Sequence, residues 1–150
     1  MKNVFNPLVV EELIRRIEKL TPESKPIWGK MNVAQMLAHC NVTYELVFEN
    51  KHPKPGYFKR WMLKTFVKNT VVSEIPYKKN LRTAPEFLIT SDKDYETEKI
   101  RLKAYIEKTL NLGEIHFENK ASHSFGNLTS VEWNNMFYKH LDHHLNQFGV

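Results

Sequence analysis

The chain is 150 residues long, 41% hydrophobic and 26% charged, with a net charge of +5, the balance of one globular domain over 1–150 rather than of a disordered or fibrous chain. Its single cysteine, Cys40, excludes an internal disulfide and suits a reducing compartment. No stretch approaches the roughly 18 apolar residues of a membrane span, and MKNVFNPLVVEELIRR holds no apolar leader core, so a cytoplasmic protein without a membrane partner is expected.

In chain order the sequence reads as helices joined by loops. Pro7 to Leu20 carries an apolar stripe of Leu13, Ile17 and Leu20, with Asn6 as cap and Pro7 in the first turn. Thr21 to Lys30 (TPESKPIWGK) is a turn-rich connector with a buried Trp28 expected within it. A second helix starts at Asn32, where Gln35 completes a capping box, and runs to about Asn50. Asn41 and Glu45 mark its expected wet side. Turned at about 100° per residue, His39 points inward with Met36, Leu37, Cys40 and Tyr44. Cys40 reads as a small core residue rather than a ligand.

After the break Lys51 to Gly56, helical spacing resumes from Tyr57 to Thr70. Phe58, Trp61, Met62, Thr65 and Phe66 read as its inner stripe, and Lys59, Arg60, Lys64 and Lys68 as its outer one. Nine basic residues and only Glu74 lie between Lys51 and Arg82, so the whole positive excess belongs to this segment. Such a run is commonly a solvated face; the alternatives are a site for an anionic small molecule or for nucleic-acid phosphates. The residues 71–90 lack helical periodicity and are long enough for a lid or binding loop, with Phe87-Leu88-Ile89 as a short extended stretch. Ser91 with Asp94 offers a cap for a helix through Tyr95, Leu102, Tyr105, Ile106 and Leu110, ending near Gly113. Ile115 to Thr129 is a final connector.

The last helix, Val131 to Val150, opens with a Thr129/Glu132 capping box. Trp133, Phe137, Leu141, Leu145 and Phe148 fall on one side and Asn135, Lys139, Asp142 and Asn146 on the other. His140 and His144 land in the apolar sector, one turn and roughly 6 Å apart along the axis. His143 lands on the polar border. A pair so placed can hold a divalent ion when a third ligand comes from another helix, and His39 supplies the one-plus-two count that a three-ligand site needs. The bland alternative is three packed histidines, two of them near a helix C-terminus that favours imidazolium.

The pairing of MNVAQMLAHC with YKHLDHHLNQFG resembles the DinB-like (YfiT-like) superfamily, and more narrowly one of its uncharacterised subfamilies. The likeness extends over PIWGKMNVAQMLAHC, DYETEKIRLKAYI and HSFGNLTSVEWNNMFYKHLDHHLNQFG, so it spans nearly the whole chain. It implies an all-α four-helix bundle with up-down-down-up connections, here with an extra short helix or long loop insertions. It also implies a divalent metal, zinc or nickel, on His39, His140 and His144. His143 and Gln147 would stand behind these ligands, Gln147 fixing an imidazole. The activity implied is metal-dependent: transfer of a low-molecular-weight thiol to a small electrophilic substrate, or a related hydrolase or isomerase reaction. Dimers are common in the superfamily, so a homodimer is one state the resemblance allows. Two rival readings remain at this stage. One is a binding module for nucleic acid or an anionic ligand, using residues 51–82; the other is a metal-stabilised protein without catalysis.

Overall fold

The computed structural model describes residues 1–150 and is mostly helical. Helices α1 (Pro7–Glu18), α2 (Val33–Phe48), α5 (Tyr95–Phe117) and α6 (Ser130–Gln147) supply nearly all of one hydrophobic core. Between α2 and α5 lie two short helices, α3 (Tyr57–Met62) and α4 (Lys68–Val72), joined by a π-helical turn at Leu63–Val67. A single 3₁₀ turn, Pro85–Phe87, interrupts the loop that follows.

The helix starts follow from their caps. Asn6 accepts from the Leu8 N–H, with Pro7 in the first turn. Asn32/Gln35 and Thr129/Glu132 both form complete capping boxes. Asp94 caps α5 itself, accepting from the Thr97 N–H, so Ser91 does not take that role. The α5 backbone leaves helical geometry at Gly113 (φ +72°), where the glycine tolerates a left-handed kink. The chain then makes one more turn and brings Phe117 onto the core against Trp133 and Phe137.

At the centre of the core, Tyr44 of α2 is sandwiched between Tyr105 of α5 and Phe137 of α6, with ring centroids 5.6 and 5.1 Å away. Stacked rings at these separations add about 0.5–1.5 kcal/mol per pair beyond area burial. This stack fixes how α2 and α6 face each other, and so how their histidines meet.

Several polar positions are not where helical periodicity puts them. Asn41 and Glu45, expected to be wet, are buried against α5. Asn41 Nδ2 donates to Glu98 at 2.7 Å; Arg101 ties Glu98 to Glu45, and His52 adds a bond to Glu45 at 2.9 Å. Helix α2 is thus enclosed over most of its length, and α5 rather than water partners its polar face, except at Asn41 Oδ1, which is buried without a hydrogen bond. Asn135 and Lys139 of α6 are also buried, not exposed. Asn135 donates to the Val72 carbonyl at 2.9 Å, and Lys139 Nζ to the carbonyls of Thr70 (2.8 Å) and Ser73. These side chains satisfy carbonyls that the end of α4 leaves without helical partners.

Three further expectations change. Phe58, Trp61, Met62, Thr65 and Phe66 face outward; Leu63, Val67 and Val71 turn toward the interior instead. Phe87-Leu88-Ile89 forms no strand, Phe87 ending the 3₁₀ turn. The connector before α6 holds a small antiparallel pair, β1 (Lys120–Ala121) and β2 (Asn127–Leu128), too short for alternation to reveal.

Lys139→Met should cost about 1–3 kcal/mol in urea unfolding, because it strands two carbonyls that its ammonium satisfies. Lys64→Met, on the exposed surface, should change stability by less than about 0.5 kcal/mol.

Candidate metal centre

Helices α2 and α6 bring His39, His140 and His144 together, with one ring nitrogen of each within 4.8 Å of the others. His39 Nε2 lies 3.0 Å from His140 Nε2. Nitrogens bound to one tetrahedral ion at about 2.0 Å sit roughly 3.3 Å apart; the closest pair here is at hydrogen-bond distance and the widest within 4.8 Å, so the three are grouped as a ligand set requires.

The opposite edge of every ring is already engaged. His39 Nδ1 donates to the Phe87 carbonyl at 2.9 Å. His140 Nδ1 lies 2.9 Å from the Thr43 hydroxyl, one turn beyond His39 on α2. His144 Nδ1 donates to Gln147 Oε1 at 2.8 Å. Gln147 is oriented in turn, because its amide Nε2 donates to the Trp28 carbonyl at 2.6 Å, which leaves the oxygen for the imidazole. For His39 and His144 these bonds select the tautomer whose lone pair sits on Nε2, as metal-ligating histidines require, and the Thr43 hydroxyl permits the same tautomer of His140. The three histidines could therefore hold a metal ion, and the donor set is right for zinc, nickel or a similar divalent ion.

The electrostatics agree. Burial lowers the pKa of all three rings: His39 below its ordinary value, His144 to about 3, and His140 well below its ordinary value. For His140 and His144 the neighbouring imidazoles add to the effect of burial. All three are neutral at pH 7, the state in which imidazole binds metal.

The same three rings line a cavity of about 700 Å³. Its walls are mainly apolar, and include Leu63 and Val67 from the π-helical turn, Met136 from α6, and Phe125 from the β1–β2 connection. The residues 77–89 form one side of it, so the long loop lines the site. Lys59, Lys78 and Arg82, all from the basic segment, also line the cavity. Three protein ligands beside an open cavity are the arrangement of catalytic sites; structural zinc sites close with a fourth side chain.

His143 stands apart from the triad's meeting point. Its half-buried ring lies between Trp28 and Tyr77, with centroids 5.8 and 5.7 Å away, and lines the same cavity. Trp28 is half-buried rather than enclosed, with Lys79 over its ring at 4.2 Å. Cys40 lies in the core, where burial raises its thiol pKa, and it takes no part in the cluster. Two groups were not anticipated from the sequence: Thr43 and the Phe87 carbonyl. Thr43 was detectable, since it lies four residues after His39 on the same helix face. The Phe87 carbonyl was not, because it depends on the path of a loop.

The lowered pKa values set a pH dependence for the metal-free protein. An unfolded histidine titrates near 6.5, so as pH falls from about 6.5 toward 3 the unfolded chain takes up protons that the folded cluster refuses. Stability is complete above that window and declines through it. Urea midpoints of EDTA-treated protein at descending pH should show this fall, and His140→Gln should reduce its slope by up to about 1.4 kcal/mol per pH unit. Equal slopes would mean that the cluster does not control acid lability.

No curated protein and no solved structure matches the chain. A family model described as "Protein of unknown function (DUF1569)" matches residues 8–149, a span that includes both histidine-bearing helices and the loop between them. The chain belongs to the DUF1569 family.

Proposed function

We propose that this protein is a divalent-metal-dependent enzyme of the DinB-like superfamily, with His39, His140 and His144 as the ligands of zinc or nickel. In this reading α1, α2, α5 and α6 are the four helices of the up-down-down-up bundle, and α3, α4 and the long loop are insertions that enclose the site. The observation that carries it is the orientation of the three rings: each Nδ1 is hydrogen-bonded away from the centre, so each Nε2 faces its neighbours.

A divalent ion held there would lower the pKa of a thiol or water reaching it through the cavity. The chain supplies the remainder. Leu63, Val67, Met136 and Phe125 exclude water, which strengthens electrostatic interactions within the cavity. Lys78 and Arg82, with Lys59 held by Glu86 in the same lining, leave it a net positive field that favours an anionic substrate or a developing thiolate. The reaction class is transfer of a low-molecular-weight thiol to a small electrophile, or hydrolysis or isomerisation at the same centre, in a cytoplasmic protein that is a monomer or a homodimer. The three cationic side chains also favour a second reading, an anionic-ligand binding protein stabilised by its metal and without turnover. Thiol consumption with an electrophilic aryl halide, measured on metal-loaded protein, separates the two.

Elemental analysis of protein purified without an affinity tag should find close to one metal per chain. His140→Ala or His144→Ala should reduce it below about 0.2 per chain and abolish metal-dependent stabilisation, which reaches roughly 4 kcal/mol at a thousandfold excess over Kd. His143→Ala should retain its metal. If His143→Ala empties the site while His144→Ala leaves it full, the ligand assignment fails.

A subtler test uses Gly29. Its φ is +85°, and a Cβ there would lie 2.5 Å from Gln147 Nε2. Gly29→Ala should displace the amide that orients His144 and weaken metal affinity about 10- to 100-fold, as loss of such supporting bonds does. Gly56→Ala, with nothing near its Cβ position, should leave affinity unchanged.

A further inference from the structure

Segment 57–72 presents an apolar face to the exterior as well as one to the cavity. Tyr57, Phe58, Trp61 and Phe66 are 97, 74, 57 and 68% exposed, and Met62 is exposed beside them. The rings form one patch: Phe58 and Trp61 have centroids 6.1 Å apart, and Trp61 and Phe66 are 6.2 Å apart. On the helical wheel Lys59 borders this patch on one side, and Arg60 and Lys64 border it on the other. Lys54 lies just ahead of the helix, and it, Arg60 and Lys64 form no ion pair with any carboxylate of the chain. Across residues 51–82 there are nine basic side chains and a single acidic one.

We propose that this face docks on an anionic phospholipid surface, lying in the plane of the interface with Phe58, Trp61 and Phe66 inserted among the acyl chains. Aromatic side chains in the centre and Lys and Arg at the borders are the pattern of interfacial helices, whose basic side chains reach up to the headgroups. Each Lys or Arg near such a surface is attracted to the anionic headgroups, and an exposed aromatic group gains from leaving water. A second copy of the chain is a poorer occupant: a two-fold contact sets a patch against itself, which would oppose two strongly basic segments. Single-stranded nucleic acid also matches the charge, but here the rings pack against one another along a convex helix rather than standing apart in a groove that could accept stacked bases. No helix is long and apolar enough to cross a membrane, so the association would be peripheral. It departs from the sequence-based expectation of no membrane partner, which rested on the lack of a membrane-spanning apolar stretch, and from the separate expectation that Trp61 and Phe66 face inward.

The test is co-sedimentation of the full chain with vesicles of pure phosphatidylcholine and of an equal mixture with phosphatidylglycerol. Binding should require the anionic lipid and weaken as salt is raised. Phe58→Ser with Trp61→Ser, and separately Arg60→Gln with Lys64→Gln, should each weaken it about tenfold or more. Unchanged metal content and melting temperature in both double variants would show that the fold and the histidine site are intact, which separates this proposal from the enzymatic one. Failure to bind anionic vesicles would overturn it, as would equal binding by the serine variant. A dimer in light scattering that the serine variant converts to monomer would assign the face to a second copy. Retention of a single-stranded oligonucleotide without vesicle binding would assign it to nucleic acid.

Discussion

Two imidazole nitrogens 3.0 Å apart in a buried site must have a proton or a cation between them. That constraint organises the centre of this protein. The Phe87 carbonyl and the Gln147 amide oxygen each take the Nδ1 proton of their ring, so His39 and His144 turn bare Nε2 atoms inward. His140 is the adaptable member. Its Thr43 partner is a hydroxyl, which can donate to Nδ1 or accept from it. His140 can therefore place a proton on Nε2 to bridge to His39, or move it to Nδ1 and present a third lone pair. A hydroxyl at this one position permits both the metal-free and the metal-bound cluster without any change in backbone.

The rest of the fold holds these partners in place. Gln147 depends on the Trp28 carbonyl, and the connector carrying Trp28 is tied to α6 by the Ile27 N–H donating to the Gln147 carbonyl at 2.7 Å. Gly29 leaves room for the amide. Phe87 is positioned by a 3₁₀ turn whose Glu86 pairs with Lys59 of α3. Asn135 and Lys139, about three and two turns before the C-terminus of α6, anchor the end of α4 to the helix that carries two of the histidines. The polar residues of α6 that resemble a solvated face thus attach the cavity wall to the helix that bears His140 and His144.

Much of this was legible in the sequence, for identifiable reasons. The two capping boxes and the inward turn of His39, His140 and His144 depend on local spacing alone, and the structure shows both. The pairing of Gln147 with His144 is likewise a contact across three residues of one helix. What could not be read was whatever another element supplies. Asn41, Glu45, Asn135 and Lys139 are polar, and their own helices offer no sign that Glu98, Arg101 and the α4 carbonyls wait opposite. A helical wheel separates polar from apolar; it cannot separate polar-and-wet from polar-and-partnered.

The segment 57–72 shows the complementary failure. Large aromatic residues at helical spacing are expected to face inward, because burial of such groups is the strongest driving force a helix has. Yet only the end of this segment, Val71 and Val72, reaches the main core; the rest walls a cavity, which Leu63 and Val67 line. A wall one helix thick has two faces, and a sequence with apolar residues around most of its circumference can supply both. The π-helical turn lies within this wall and carries Leu63 and Val67, and such wide turns often occur where a helix is shaped by a site rather than by a core. One short element thereby joins the histidine-lined interior to the outer surface.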